Sequence, residues 1–478
     1  MSVANADFSA AVAAAPTVDR VSSSIAARME RLPSTATLWR MVVLISLGGW
    51  FELYKLFATG YIAPGLVKSG ILTSTTQSFF GFQGMGAFIA ATFAGLFIGT
   101  FFLGFLSDRY GRRFVFTYSL IWYTAATVVM AFQTSAEGLL LWRFIAGIGI
   151  GVEIVTIDAY LTEIAPRHMR GRAFALNQAI MFSSVPVVAL ISYVLVPSIP
   201  FGLDGWRSVI LIGAAGAVVI WFIRRALPES PLWLAQNGRE DEADRILGRI
   251  ETKVAAEHGA PLPPPGADVV EVKVGRAGIS EILKPPYRGR LIMLVIFNFC
   301  QVIGYYGFAN WVPTLLAAKG IEITKSLLYS SIIAIANPMG PMVAMSFADR
   351  VQRKWVIVGA AAWISIVGIG FASFDAPVLL ILCGVLITLA NTILSYAYHA
   401  YQTEVFPVRI RGRAAGLAYS SSRIGAVSSG FLIAFFLKDF GVAGVFALVI
   451  GAMLAVIVSI GVFGPTSEQL AHEGIPSH

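Results

Sequence analysis

Long apolar stretches separated by short polar loops run through almost the whole chain. A hydrocarbon core of about 30 Å takes about 20 apolar residues per helix. On that measure the pattern predicts twelve spans, at 40–62, 83–106, 114–133, 138–159, 173–197, 206–226, 288–312, 326–348, 355–373, 377–399, 414–436 and 441–463. The runs are continuous and do not alternate with period two, which favours helices over a barrel. A long polar stretch at 227–287 separates spans 6 and 7; it opens with Pro228, Glu229, Ser230 and Pro231, continues as a charged amphipathic pattern at 238–257 and breaks at the Pro-rich 261–266. Such helices lie along the surface of a bundle, and the break is a linker. A shorter amphipathic pattern occupies 19–31. The predicted fold is an all-α membrane protein with a segment at 1–36, a six-helix bundle at 37–226, a linker at 227–287, a second six-helix bundle at 288–463 and a tail at 464–478.

Composition agrees with this class. The apolar fraction is 56%, the charged fraction 13% and the mean hydropathy +0.74, where soluble domains carry about 25% charged residues. Basic residues gather after the even-numbered spans, at Arg109, Arg112, Arg113, Arg167, Arg170, Arg172, Arg224, Arg225, Arg350, Arg353, Lys354, Arg409, Arg411 and Arg413; Lys319 and Lys325 after span 7 are the exception. The positive-inside rule then predicts a multi-pass protein of the bacterial inner membrane with those loops and both termini cytoplasmic. The net charge of +8 follows mostly from this bias, so the lipid bilayer is the expected surroundings and nucleic acid is not an expected partner. Residues 1–36 lack a basic cluster before an early apolar run, and no cleavable signal is expected. Cys300 and Cys383 fall inside spans and read as buried thiols, not as a disulfide or metal pair.

The polar positions repeat. Tyr160, Thr162, Glu163, Pro166, Arg170, Gly171 and Arg172 reappear as Tyr401, Thr403, Glu404, Pro407, Arg411, Gly412 and Arg413, and Asp108 with Arg109 reappears as Asp349 with Arg350 (401 − 160 and 349 − 108 both equal 241). Two motifs at one offset imply two like halves, an architecture that commonly carries a substrate between them. Asp108, Arg109, Arg113, Glu163, Arg170, Arg172, Asp349, Arg350, Glu404, Arg411 and Arg413 are therefore gating candidates, with carboxylates expected to latch helix ends through neighbouring arginines. Topology alone would explain the arginines but not the repeated acids, since Asp and Glu contribute little to orientation.

Gly104, Asp108, Arg109, Gly111, Arg112 and Arg113, the repeated Glu–Pro–Arg-Gly-Arg loops and Pro228-Glu229-Ser230-Pro231 together resemble the major facilitator superfamily over roughly residues 40–463. The branch looks like the metabolite:proton symporters related to sugar porters and organic-ion carriers, a group that includes aromatic-acid and nicotinate carriers. The resemblance implies two pseudo-symmetric six-helix bundles, a central cavity and rocker-type alternating access. Relatives place an acid on helix 1 opposite a helix 4 arginine; here that acidic position is Lys55, and Glu52, one turn earlier, is the substitute candidate for proton coupling. Organic-anion carriers resemble this chain in a helix 11 arginine, here Arg423.

Ionisable residues inside spans are functional candidates because charge in lipid is expensive. Glu52 and Lys55 share a face of span 1, and their level in the outer half is expected to match that of Arg143 on span 4; Glu153 and Asp158 lie progressively nearer the cytoplasm and join Glu52 as proton-coupling candidates. A fixed Glu52–Lys55 or Glu52–Arg143 pair that only orders the helices is the alternative. Arg423 either binds a substrate anion, since guanidinium grips carboxylates bidentately, or forms an internal salt bridge, or snorkels to the inner face. Gln301 and Tyr305 lie on one stripe of span 7, with Asn298 one turn before Gln301 and Asn310 near the span's end, and span 10 adds Asn391, Tyr396, Tyr398, His399 and Tyr401. Lys55, Arg143, Gln301, Tyr305, Asn310, Tyr396 and Arg423 form the expected substrate-binding set. For the span 7 amides and phenols the competing role is helix–helix bonding, and His399 reads as a satisfied helix-end histidine.

Gly147, Gly149 and Gly151 imitate a nucleotide loop but sit in an apolar helix with no strand before it, so close helix packing explains them. No Walker loop, HExxH or GxSxG stretch occurs in the chain; no catalytic residue, metal or cofactor is expected. A membrane enzyme and a sensor are the competing classes. The reading is a monomeric secondary transporter of a small organic anion, an aromatic or heteroaromatic carboxylate, with protons; a sugar or other neutral metabolite, or export or exchange of organic acids, is the runner-up.

Overall fold

The computed structural model describes residues 20–73, 84–224, 227–265, 279–345, 351–466 and 469. Helix α1 (Arg20–Glu30) precedes the first pass, α2 (Ala36–Tyr61), which bends into α3 (Ala63–Lys68). Next come α4 (Met85–Leu103), the short α5 (Leu106–Tyr110), α6 (Arg112–Ala131), α7 (Ala136–Ile164), the paired α8 (Arg167–Phe182) and α9 (Ser184–Leu195), and α10 (Gly205–Arg224). After α11 (Pro231–Gln236), α12 (Glu240–His258) and α13 (Ile279–Ile282), the chain continues through α14 (Tyr287–Ala309), α15 (Val312–Ala318), the paired α16 (Ile323–Ala334) and α17 (Ala336–Met345), α18 (Arg353–Ser373), α19 (Pro377–Glu404) and α20 (Val408–Phe463). Among the described residues ten helical stretches are long and apolar enough to cross a membrane, and Gly205–Val218 is a shorter apolar one. α20, with 56 residues, holds two passes joined at Gly441, whose positive φ of 66° suits glycine. Twelve passes result, six before the linker and six after, as the hydropathy pattern predicts.

Two passes are broken, and proline explains both. A proline removes the hydrogen bond to the carbonyl four residues back. Pro186 and Pro338 do this at Phe182 and Ala334, where α8 and α16 end. Other passes are welded by glycine. A Cβ on Gly99 would lie 2.0 Å from the Ile148 carbonyl, and one on Gly151 would lie 2.3 Å from that of Leu96, so α4 and α7 touch backbone to backbone. Gly149 instead faces Tyr123 of α6. The glycines of span 4 are thus packing residues.

The short helices α1, α11 and α12 pack against one another beside the arginine-bearing loops of the first six passes, on what is here called the arginine face. Glu251 of α12 receives the Nε and Nη2 of Arg28 (3.1 and 2.7 Å) and the Nη2 of Arg31 (2.6 Å), while Arg28 also pairs with Asp244. Ala243, Leu247, Ile250 and Val254 bury the apolar stripe of α12. Glu30 binds the backbone N–H of Arg167 (2.7 Å) and the Arg170 guanidinium (3.2 Å), tying α1 to α8. On the opposite face the two sets of passes meet closely. A Cβ on Gly60 would fall 2.3 Å from the Asn310 carbonyl, and one on Gly430 of α20 would fall 2.8 Å from that of Gly86 at the start of α4.

Two outcomes test this packing. Gly99→Ala should cost about 1–3 kcal/mol by overpacking and lower the Tm in detergent, whereas Gly171→Ala, where an added Cβ meets nothing within 4 Å, should leave it in place; equal Tm values would reject the α4–α7 contact. Burial acts to raise the Glu251 carboxyl, but hydrogen bonds and charge from Arg28 and Arg31 outweigh it and hold the group below the ordinary 4.5. A depressed carboxyl contributes stability that is present above its unfolded pKa and lost as pH falls through the folded value. Hydrogen exchange of α1 and α12 should therefore accelerate as pH drops below about 4.5 after correction for intrinsic rates, and Glu251→Gln should abolish that dependence.

Candidate functional site

α2, α7 and α8 from the first six passes and α14, α19 and α20 from the last six converge on a cavity of about 130 Å³. That is smaller than the roughly 300–1,000 Å³ sites of drug-sized ligands and suits a small metabolite. The walls are aromatic: Phe57, Phe182, Tyr305, Tyr306, Tyr398 and Tyr419. The polar groups are Asp158, Gln178, Gln301, Ser395, His399, Ser422 and Arg423. Asp158 and His399 are exposed, whereas Arg423 is only 5% exposed. Phe93 of α4 and Tyr306 of α14 meet with tilted rings, centroids 4.5 Å apart, and with the Gly60–Asn310 contact they lie towards the closed face.

Arg423 is the buried cation of this cavity. It lies nine residues into the apolar stretch that starts at Ala414 (423 − 414), about 13 Å along the helix. Its guanidinium sits 5.0 Å from the Tyr419 ring centre. Its Nε has no hydrogen-bond acceptor, and among the described residues it forms no ion pair. The expected internal salt bridge is therefore not made. Gln301 and Tyr305 line the cavity as expected, and the Tyr305 hydroxyl is buried without a hydrogen-bond partner.

Other expected members are placed elsewhere. Lys55 is 2% exposed; its Nζ donates to the Thr124 hydroxyl at 2.9 Å and lies 4.1 Å over the Tyr123 ring of α6. Arg143, also 2% exposed, donates to the Thr92 hydroxyl (2.7 Å), the Lys55 carbonyl (2.9 Å) and the Thr59 hydroxyl. Both cations are held inside the first six passes, and neither lines the cavity with Arg423 as expected. Glu52 is fully buried on α2, and Glu153 accepts a 3.4 Å hydrogen bond from Ser119; of the three acids, Asp158 lines the cavity. Asn310 caps α14 at the closed face, and Tyr396 is turned away while Ser395, Tyr398 and His399 point in. His399 is thus a cavity residue as well as a helix-end one. Gln178 was not anticipated, although the amide pair Asn177-Gln178 in the apolar run of span 5 is a usable signal.

The arginine face carries a paired latch. Arg112, buried at the start of α6, donates from Nη2 to Glu163 at the end of α7 (2.8 Å) and from Nη1 to Asp108 (2.5 Å). Arg353 and Glu404 pair in the same way between α18 and α19, and both partners sit 241 positions on (353 − 112 and 404 − 163). The expected partner of Glu404 was Arg411 or Arg413; its partner is Arg353, and of Arg411 and Arg413 only the backbone in α20 is described. Arg113, Arg109 and Arg172 have exposed side chains. Arg113 contributes its backbone N–H, which with those of Arg112 and Ser230 binds the Glu229 carboxylate at 2.9–3.1 Å and caps α6. Arg172 lies over the Trp39 ring and Arg109 over that of Tyr110, both at 5.5 Å. Asp349 and Arg350 lie outside the described residues.

A twelve-pass, internally repeated helical bundle with a cavity between its two sets of helices is the architecture of a secondary transporter. A family model described as sugar (and other) transporter matches residues 35–478, and the chain belongs to this family of major facilitator transporters. The putative metabolite transport protein YyaJ of Bacillus subtilis is 31% identical over 453 residues, 93% of this chain and 96% of that protein. The niacin transporter NiaP of Acinetobacter baylyi is 28% identical over 445 residues, 91% and 97% of the two chains. Among solved structures, the xylose transporter XylE from E. coli in a partially occluded inward open conformation superposes with a TM-score of 0.72 at 20% identity, covering 91% of this chain and 99% of XylE. The relatives are transport proteins, and the chain is a transporter, not an enzyme.

The latch is testable by double-mutant cycles. Arg112→Gln with Glu163→Gln, and Arg353→Gln with Glu404→Gln, should each show a favourable coupling of about 0.5–3 kcal/mol in thermal unfolding of the purified protein. Additive effects in either cycle would show that the pair carries no interaction energy.

Proposed function

We propose that this transporter moves a small organic anion, an aromatic or heteroaromatic carboxylate, together with protons, by alternating access. The observation that carries the proposal is the Arg423 guanidinium, buried at the cavity wall without a carboxylate of the protein bound to it. Asp158 and the buried Glu52 act on it through space and not through a hydrogen bond, so a substrate carboxylate can take the guanidinium bidentately. Tyr306, Tyr398 and Tyr419 line the cavity with it, and aromatic walls suit a planar ring better than a polyol. The niacin transporter relative supports the same substrate class.

Asp158 faces the same cavity and feels the charge of Arg423. In this reading its carboxylate balances Arg423 in the empty carrier. An arriving substrate carboxylate takes over the guanidinium, and Asp158 is then neutralised by a proton because the site cannot hold two anions against one cation. Substrate and proton thereby travel together. By the positive-inside rule the arginine face is cytoplasmic, so the conformation described above opens inward, and the Arg112–Glu163 and Arg353–Glu404 pairs act at the cytoplasmic ends of the moving helices.

Uptake of labelled nicotinate into proteoliposomes, with xylose as the neutral comparison, tests this. Arg423→Ala should lower nicotinate uptake at least tenfold, as for loss of a charged hydrogen-bonding partner of about 1.5–3 kcal/mol, with Arg423→Lys partly retaining it. Asp158→Asn should keep exchange and lose accumulation driven by a pH gradient. Nicotinate affinity unchanged by Arg423→Ala, or xylose taken up in its place, would reject the anion reading.

A further inference from the structure

A second cavity, of about 850 Å³, opens on the arginine face between the first turns of α2 and the linker helix α12. Its walls hold five cations: Arg40 on α2, Arg113 on α6, and Arg245, Arg249 and Lys253 on α12. The last three are spaced four apart, so they form one stripe along the helix. That stripe is separate from the Asp244 and Glu251 positions that dock α12 on α1, and from the buried stripe that includes Leu247 and Val254.

Three acids share the groove, and each is already engaged. Glu229 is held by the backbone N–H groups at the start of α6. Glu257 binds the N–H and hydroxyl of Thr37 at 2.8 and 2.7 Å. Glu242 pairs with Arg239. Among the described residues Arg40, Arg245, Arg249 and Lys253 form no ion pair, and all four are exposed. Of the three acids, Glu257 also feels the charge of Arg40, which leaves an open groove where five cations face three acids, a balance suited to an anion.

The groove also has an apolar side, from Met41, Leu44 and Ile246. Arg40 marks the end of the membrane stretch: between it and Glu52 the helix carries no charge. The exposed aromatic series Tyr110, Phe114 and Tyr118, with rings 5.9 and 4.2 Å apart, flanks Arg113, and exposed aromatics of this kind sit at headgroup level. Cations beside apolar side chains in one groove at the end of a membrane pass match one chemistry. We infer that this groove binds the phosphate headgroup of an anionic phospholipid, and that the lipid bridges α2 and the linker helix α12. A basic pocket at a membrane helix on the cytoplasmic side is suited to such headgroups.

The test uses the full-length protein in detergent, titrated with dioctanoyl phosphatidylglycerol, dioctanoyl phosphatidylcholine and inorganic phosphate, with Tm as the readout. Phosphatidylglycerol should raise Tm in a saturable way, and the other two should not. The triple variant Arg245→Gln, Arg249→Gln, Lys253→Gln should need roughly tenfold more phosphatidylglycerol or beyond for the same shift. Arg40→Gln, on the facing wall, should weaken it in the same direction, while Arg288→Gln, an exposed cation outside the groove, should not. An unchanged titration in both groove variants would overturn the proposal, and so would an equal effect of inorganic phosphate, which would make the ligand a free anion. None of these readouts depends on the transported substrate.

Discussion

A guanidinium inside a hydrocarbon layer must be met by acceptors, by an anion or by water, because the cost of leaving it bare exceeds what the rest of a small site can offset. The chain resolves this constraint twice in opposite ways. Arg143 donates to hydroxyl and carbonyl acceptors from α2 and α4, bonds that tie these two passes together. Arg423 has an aromatic neighbour and a cavity. The first is held by the protein's own acceptors; the second is the proposed binding residue. The position of the cavity, its aromatic walls and the exposed Asp158 all acquire a role from that difference.

The same physics operates on the arginine face, where water is near and pairs are reversible. Arg112 with Glu163 and Arg353 with Glu404 join the ends of neighbouring passes at equivalent points of the repeat. The Glu229 carboxylate, bound by three backbone N–H groups, fixes α11 and the linker to the start of α6. The opposite face is closed without charge, by backbone approach at Gly60 and Gly430 and by the Phe93–Tyr306 contact. At one end each set of passes is thus tied internally by polar bonds, and at the other the two sets meet by packing that parts as a surface, a combination suited to rigid lobes rocking about a central site.

Much of the fold was legible in the chain because hydrophobic length is a direct measure of the bilayer. The twelve apolar runs correspond to the twelve passes, and the charged pattern at 238–257 corresponds to α12. Helix breaks at Pro186 and Pro338 were readable in principle, since the missing donor points to the residue where each helix stops. The candidate site was legible in depth but not in direction. Rise per residue set the level of Lys55 and Arg143 but could not say that both point between α2, α4 and α6. Tyr396 and Tyr398 differ by two positions, about 200° around a helix, and only the packing of α19 decides which one faces the cavity. Arg112 and Arg113 are likewise adjacent, and the turn at Gly111, with φ of 101°, sends the first inward and the second out.

The two sets of passes are equivalent in their latches and unequal in their cores, and the inequality bears on mechanism. The first six passes bury Glu52, Lys55, Arg143 and Glu153, whereas the last six contribute Arg423 to the cavity and surround it with phenols. A carrier whose two lobes were chemically alike would grip cargo from both sides and would have to break both grips at each transition. Here the proposed anion contact lies on one lobe and the proposed titrating acid, Asp158, on the other. Charge exchanged across the gap between them then changes the attraction of the lobes directly: with Asp158 ionised and Arg423 vacant they draw together, and with substrate on Arg423 and a proton on Asp158 they do not. A contact made between lobes responds to both ligands at once, which no pair buried within either lobe can do.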